Sequence, residues 1–588
     1  MDSKHVTEST SGQEDIQKTW WKEAIIYQIY PRSFQDSDGD GIGDLNGITS
    51  RLDYIQSLGV DIIWLNPIFL SPNDDNGYDI SDYREIMREF GTMEDFDRLL
   101  KEIHKREMRL VLDLVVNHTS DEHPWFEEAR KSRHNPYYNY YHWWPAEKGE
   151  PPLRLSYFDE EGNAWTYNKS TDSYYLHYFS RKQPDLNWEN PEVRQEIFDM
   201  MRFWFDKGID GFRMDSISLI AKDPSFPLID SKKYPDIFSF YAKEPRLHLY
   251  LHEMNRQVLS KYDCMSVGEG SAVMVDDVAK FVDPAREELN MLYHFDAARI
   301  RNTTLPDNLE SGIDYSLIAL KKMFTEWDKA VDKGWPSIYL GNHDQPRMVS
   351  RFGSDKDEFR ALSAKMLITF LLTMRGTPYW FAGDEIGMRN IRFDRIEDYN
   401  DIDTINRYKK AKAEGKDPQA VLDEQKETGR DNARTPFQWD RSPEAGFTAG
   451  TPWLKVNPDY TWINVADEEK DPTSILNYFK KVVSFRKENP SLIYGSYHLL
   501  DAENPQSYTF LRKTGADTYL IMLNFSPKAA ISTPGIDMSN AHVLLDNYGD
   551  RSHMAPQKDI TLRPFEAIVF QLNHPVYESF IDSLDLLE

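Results

Sequence analysis

Three acidic residues stand where short apolar runs end. In GFRMD (211–215), Arg213 and Asp215 are two positions apart and project from the same face of an extended strand. An arginine beside it holds Asp215 ionised at neutral pH, as a nucleophile requires. Glu269 closes CMSVGEG (264–270) and Asp344 closes WPSIYLGNHD (335–344). Carboxylates brought to one mouth cannot all ionise cheaply, so one pKa rises and leaves a protonated acid near pH 7; that role is assigned to Glu269. One ionised and one protonated carboxyl are the apparatus of glycoside hydrolysis, with retention or inversion set by their separation. Taken singly, an Asp at a strand end is more often a cap, and His118 or His343 a satisfied core residue. The bland reading explains their joint placement poorly.

A second acidic group has another use. DSDGDGIGDLNG (36–47) alternates aspartate with small residues, as a loop around a hard cation does. It is not an EF-hand: the twelfth position is Gly47 rather than Glu, and the preceding AIIYQIYPRSF alternates as a strand rather than an entering helix. Two readings stay open, a calcium or magnesium loop using Asp36, Asp38, Asp40, Asp44 and the Ile42 carbonyl, and a solvated acidic turn.

Positioning these groups falls to eight β-type runs, at 24–30, 60–68, 108–118, 208–215, 264–270, 288–296, 335–344 and 377–385, separated by helical patterns. That rhythm predicts an α/β fold, a (β/α)8 TIM barrel (19–117 and 188–495) with its site at the C-terminal ends of the strands. The Trp/Tyr/Pro-rich stretch 118–187 is expected to form a domain inserted after strand three, with Tyr167 in AWTYN and Phe179 in SYYLHYF facing substrate. A polar insertion at about 389–480 reads as a lid, and 496–588 as a C-terminal antiparallel β-sandwich. Residues 1–18 read as a disordered leader.

Composition narrows the partners. Lys+Arg 69 against Asp+Glu 97 gives a net charge of -28, which disfavours nucleic acid and anionic membranes. Cys264 is the single cysteine, so no internal disulfide framework exists, and no apolar run approaches a membrane span. A cytoplasmic monomer or weak homodimer without organic cofactor is expected.

DLVVNH (113–118), QPDLNW (183–188), GFRMD (211–215), GE (268–269) and NHDQPR (342–347) resemble, in order and spacing, the motif series of the α-amylase superfamily. QPDLN points to its oligo-1,6-glucosidase and α-glucosidase branch. The resemblance implies Asp215 as nucleophile, Glu269 as general acid/base and Asp344 as transition-state stabiliser. It puts His118, His343 and Arg213 around the same sugar and Tyr78 beneath its ring. It gives the 36–44 loop a structural Ca2+ or Mg2+. Asp75 in NDDNGYD and Arg434 in RDNARTPFQW would pair to close the pocket, making an exo-acting retaining α-glucosidase of short α-glucosides that works through a covalent glucosyl-enzyme intermediate. Ser216, where the branch uses valine for α-1,6 and threonine for α-1,4 cleavage, leaves the linkage open. Gly270-Ser271 after the acid and GDE at the end of strand eight also depart from the usual pattern. A transglycosylase or a sucrose isomerase would use the same framework, although RIRNTTLPDNLE (299–310) does not match the isomerases' arginine-rich motif. A non-catalytic barrel of the transporter-associated kind is the reading from another class; it would carry a membrane span and lack catalytic carboxylates.

Overall fold

The computed structural model describes residues 18–158, 162–230, 232–234, 237–300, 315–514, 517–536, 538, 541–551 and 558–572. The expected leader lies outside them except for its last residue, as do 301–310 of the RIRNTTLPDNLE stretch and the end of the chain from 573.

Every one of the eight runs contains a strand: β1 (Ile26–Ile29), β2 (Ile62–Leu65), β3 (Arg109–Val115), β4 (Gly211–Asp215), β5 (Met265–Glu269), β6 (Met291–Tyr293), β7 (Ser337–Ile338) and β8 (Thr377–Phe381). They form one sheet of parallel strands in the order β6-β5-β4-β3-β2-β1-β8-β7. The first strand pairs with the last, Ile26 opposite Tyr379, which curls the sheet into a barrel. Side chains span the seam between β6 and β7. The Ser337 hydroxyl donates to the Leu292 carbonyl at 2.9 Å and the Tyr339 hydroxyl to the His294 carbonyl at 2.5 Å.

Period-two alternation sorts the strand residues. Ile26, Ile62, Trp64, Val111, Met265, Val267, Met291 and Tyr379 pack together inside the barrel, while Tyr27, Ile63, Leu65, Leu110 and Leu112 join the outer core with the helices. Those helices are locally encoded. Met93–Lys105 starts on a Thr92/Asp95 capping box and buries Phe96, Leu99, Leu100 and Ile103 at helical spacing. Pro191–Lys207 starts on Asn190 and Pro191 and stops at left-handed Gly208.

Within 118–187, Trp143–Pro145, Ser173–Leu176 and Trp165–Asn168 make a small antiparallel sheet. Within 389–480, helices Ile402–Ala413 and Pro418–Thr428 pack on each other beside the strand ends. After Tyr494, β9 (Ser496–Leu500), β10 (Ser507–Thr514), β11 (Asp517–Asn524), β12 (His542–Asp546) and β13 (Ala567–Leu572) form an antiparallel sheet ordered β9-β10-β11-β13-β12. One face, with Leu511, Leu520, Met522 and Phe570, packs on the two-stranded sheet of 530–532 and 560–562; the other, with Phe510, Ile521 and Val569, joins the barrel's outer core. No helix among the described residues is long and apolar enough to cross a membrane.

Candidate active site

Asp215 and Glu269 end β4 and β5, and Arg213 lies two residues before Asp215 on the same face. β3 pairs with β4 so that Asp113 is opposite Arg213. The guanidinium therefore serves three carboxyls: Nη1 donates to Asp113 Oδ1 at 2.6 Å and to Asp215 Oδ1 at 2.8 Å, and Nη2 donates to Glu269 Oε2. Arg213 Nε also donates to the Tyr293 hydroxyl at 3.0 Å, and Ser271 Oγ to Glu269 Oε1 at 3.0 Å. Asp344 does not end a strand. Regular pairing in β7 stops at Ile338, and Asp344 stands in the loop beyond, where strand geometry gives way to the turns that bring it over the barrel.

Burial, reinforced by the charges of Asp215 and Asp344 and opposed by Arg213, pushes the Glu269 carboxyl up to about 8. That is the direction a general acid working near neutral pH requires. Burial and Asp215 likewise raise Asp113 to about 7. Asp344 goes the other way: burial would raise it, but the Arg430 and Arg434 guanidiniums beside it outweigh that and hold it well below the usual carboxylate range. Burial keeps His343 itself neutral, so the two arginines carry that charge.

A cavity of about 1050 Å³ opens over these groups, lined by Asp75, Tyr78, His118, Phe179, Asp215, Ser216, Glu269, Ser271, Asp344 and Arg430, among others. Tyr78 lies parallel to the His343 ring at 5.3 Å between centroids; its hydroxyl bonds His343 Nε2 at 2.7 Å and donates to Asp113 at 3.0 Å. His118, held neutral by burial, meets the Tyr78 carbonyl at 2.9 Å and packs against Phe179. Arg213, His343 and Arg434 are buried beneath the lining residues they bond. Ser216 holds a left-handed backbone, φ 43°, immediately after Asp215.

Two expectations about the substrate-binding residues are corrected. Asp75 pairs with Arg430, at 3.2 Å, and not with Arg434. Arg430 and Arg434 lie one helical turn apart and share a face; Arg430 reaches the cavity and bridges Asp75 to Asp344 (3.3 Å), whereas Arg434, 1 % exposed, turns to Asp344 (2.9 Å) and the His343 carbonyl. Tyr167 does not line the cavity. It sits two residues before the 169–172 turn of the small sheet, is 48 % exposed and donates to Asp172 at 2.9 Å.

In the 36–47 loop, Asp36, Asp38 and Asp40 each bring one carboxylate oxygen within 4.8 Å of the others. Their repulsion, after partial burial, raises Asp40, a cost that a cation would offset. These residues fit a hard cation. Asp44 is not in the group: its oxygens accept from Ser37 N at 2.7 Å and Gly47 N at 2.7 Å, capping helix Leu45–Ser50. Ile42 donates its own N–H to Asp40 at 2.7 Å. The loop is tied to a distant segment, since Asp36 N donates to the Phe447 carbonyl at 3.0 Å and Trp453 N to the Gly41 carbonyl at 2.9 Å. Gly41 has φ 94°, and a Cβ there would lie 1.8 Å from the Thr451 carbonyl oxygen, so only glycine permits that approach.

Sequence reasoning missed Arg430, Asp113 and Ser271. Arg430 carried a signal, its i, i+4 spacing to Arg434, and Asp113 alternates on β3 as Arg213 does on β4.

The comparisons agree with this architecture. The alpha-amylase catalytic-domain family matches residues 28–495. The oligo-1,6-glucosidases of Parageobacillus thermoglucosidasius and Bacillus cereus are 51 % and 49 % identical to the chain; each comparison covers 95 % of this chain and 100 % of the relative. The crystal structure of the trehalulose synthase MutB from Pseudomonas mesoacidophila MX-45 superposes with a TM-score of 0.89 at 43 % identity, covering 94 % of this chain and 99 % of that one. With a family match across most of its length and relatives at half identity end to end, the chain belongs to the α-amylase family and is a glycoside hydrolase.

Proposed function

We propose that the chain is an exo-acting retaining α-glucosidase that releases glucose from the non-reducing end of short α-glucosides. The observation that carries this reading is the single Arg213 guanidinium held between Asp215 and Glu269, whose carboxyl burial pushes up. Carboxyls on adjacent nitrogens of one fork are near neighbours, as retention requires at roughly 5–5.5 Å, and leave little room for the interposed water of inversion. Asp215 attacks the anomeric carbon while Glu269 gives its proton to the departing oxygen, forming a glucosyl ester. Glu269, now ionised, takes a proton from the water that displaces Asp215. Asp344, kept ionised, accepts hydrogen bonds from the sugar hydroxyls. Arg430, bridging Asp75 and Asp344, forms the end wall that limits the pocket to one terminal glucose.

Product analysis on maltose, isomaltose and sucrose tests this. Glucose should appear first as the α-anomer; β-glucose as first product, or no turnover of any of the three, would overturn the reading. Rearranged sucrose without free glucose would mark the isomerase, the second reading, favoured by the 0.89 superposition on a trehalulose synthase.

Ser216 faces the leaving group in this reading. Ser216→Val should shift the ratio of kcat/KM toward isomaltose over maltose by roughly tenfold, since a methyl-scale change in a pocket is worth about 1–3 kcal/mol. A β-branched residue at φ 43° also costs stability, and the ratio cancels any loss of folded enzyme. An unchanged ratio would show that this position does not read the linkage.

The loop of Asp36, Asp38 and Asp40 is assigned a structural Ca2+ or Mg2+. A chelator should lower Tm in the wild type and have no further effect in Asp38→Ala, because a ligand bound only by the folded state stabilises it by mass action. Equal Tm with and without chelator in the wild type would leave a solvated turn.

A further inference from the structure

Large apolar side chains in contact with solvent are scattered on most proteins and need no explanation when single. Here four of the most exposed ones, Leu153 (72 %), Leu155 (61 %), Tyr157 (57 %) and Leu228 (87 %), belong to two adjoining segments at the cavity mouth. Arg154, between the two leucines, is buried and donates to the Pro227 carbonyl at 2.5 Å, fastening one segment to the other. Period two then turns Leu153 and Leu155 outward together. The backbone beneath them is ordered: Ala164 N donates to the Arg154 carbonyl at 2.9 Å, Ser156 N to the Gly162 carbonyl at 3.1 Å and Tyr157 N to the Tyr178 carbonyl at 2.7 Å. Leu153, Leu155, Tyr157, Ile229 and Phe238 all line the same cavity as Asp215 and Glu269. Tyr157 and Phe238 stand edge to face at 5.9 Å, and Phe238 lies 6.3 Å from Phe179, so three aromatic rings continue the apolar lining into the cavity.

Another part of the mouth is charged. Asp403, Arg407, Glu424 and Glu427 line it, with Arg407 engaged by Glu424 at 2.7 Å. A second sugar would find charged hydroxyl partners among those residues, whereas Leu153, Leu155, Ile229 and Phe238 offer it none.

We propose that the leucine side is a subsite for an aliphatic aglycone, so that α-glucosides of long-chain alcohols are bound and cleaved better than those of short ones. This rests on the assignment of Asp215 and Glu269 above. The glucosyl C1–O bond breaks as Asp215 forms its ester, the alcohol oxygen takes the Glu269 proton, and the freed alcohol leaves along the apolar wall. Water then hydrolyses the ester. The backbone under the wall is already hydrogen-bonded, and covering the wall with an alkyl chain removes apolar area from water.

The test compares n-octyl with methyl α-glucoside, with isomaltose as reference. Wild-type kcat/KM should favour the octyl compound by about tenfold or more, mostly through KM. Leu153→Ser/Leu155→Ser should bring that ratio close to one while turnover of isomaltose stays within about twofold. A wild-type ratio near one overturns the proposal, and so does a large ratio that the double substitution leaves unchanged. Absence of turnover of isomaltose, maltose and sucrose alike in the wild type would instead strike the α-glucosidase reading itself.

Discussion

Asp215→Asn should lower kcat on isomaltose or maltose by about 10^4-fold or more while the protein keeps its fold, because removing a covalent nucleophile abolishes the step on which the others depend. Asparagine matches aspartate in size and still accepts from Arg213 Nη1, so Tm should change little. The substitution also removes a negative charge that raises Glu269, so the Glu269 carboxyl should titrate lower than in the wild type. Steady-state kinetics together with a melting curve check both parts. Activity within tenfold of wild type in a folded variant would move the nucleophile elsewhere.

Glu269→Gln should cost about 10^2- to 10^4-fold on disaccharides, whose leaving groups need a proton, and much less on glucosides with acidic leaving groups. The sign of the pH dependence follows from the direction of the shift. Catalysis uses the protonated carboxyl, so wild-type kcat/KM should hold below about pH 8 and fall as pH rises through it. In Glu269→Gln that limb should vanish. Its persistence in the variant would assign the titration to another group, such as Asp113, which burial raises to about 7.

The barrel was legible because parallel strands buried on both faces must be apolar along their length, and eight such runs alternate with helical patterns. The carboxylates Asp215 and Glu269 were legible for a related reason: a charged residue closing such a run can only stand at a strand end. What a single chain cannot express is register and reach. Asp113 meets Arg213 through pairing between β3 and β4, which no spacing within either strand reveals. Arg430 and Arg434 share a helical face, but which of them reaches Asp75 depends on how that turn seats against the barrel. Tyr167 was misplaced because an aromatic in a two-faced sheet looks the same whether it faces ligand or solvent. The two-residue β7 fell short of its run because the chain leaves the sheet early to carry Asp344 over the mouth.

The ties between the 36–41 loop and the 447–453 segment set an order in time. Asp36 and Thr448, which donates its hydroxyl to Asp36, are separated by 412 positions. At about 5–20 residues per second, a ribosome needs roughly 20–80 s to make the second partner after the first. β1 likewise waits for β8, its neighbour in the sheet. For that interval the nascent chain holds an open strand edge that can pair with other chains, and contacts this far apart are slow to form once available. Yield in the cell should therefore respond to temperature and chaperone supply during synthesis more steeply than the stability of the finished enzyme does.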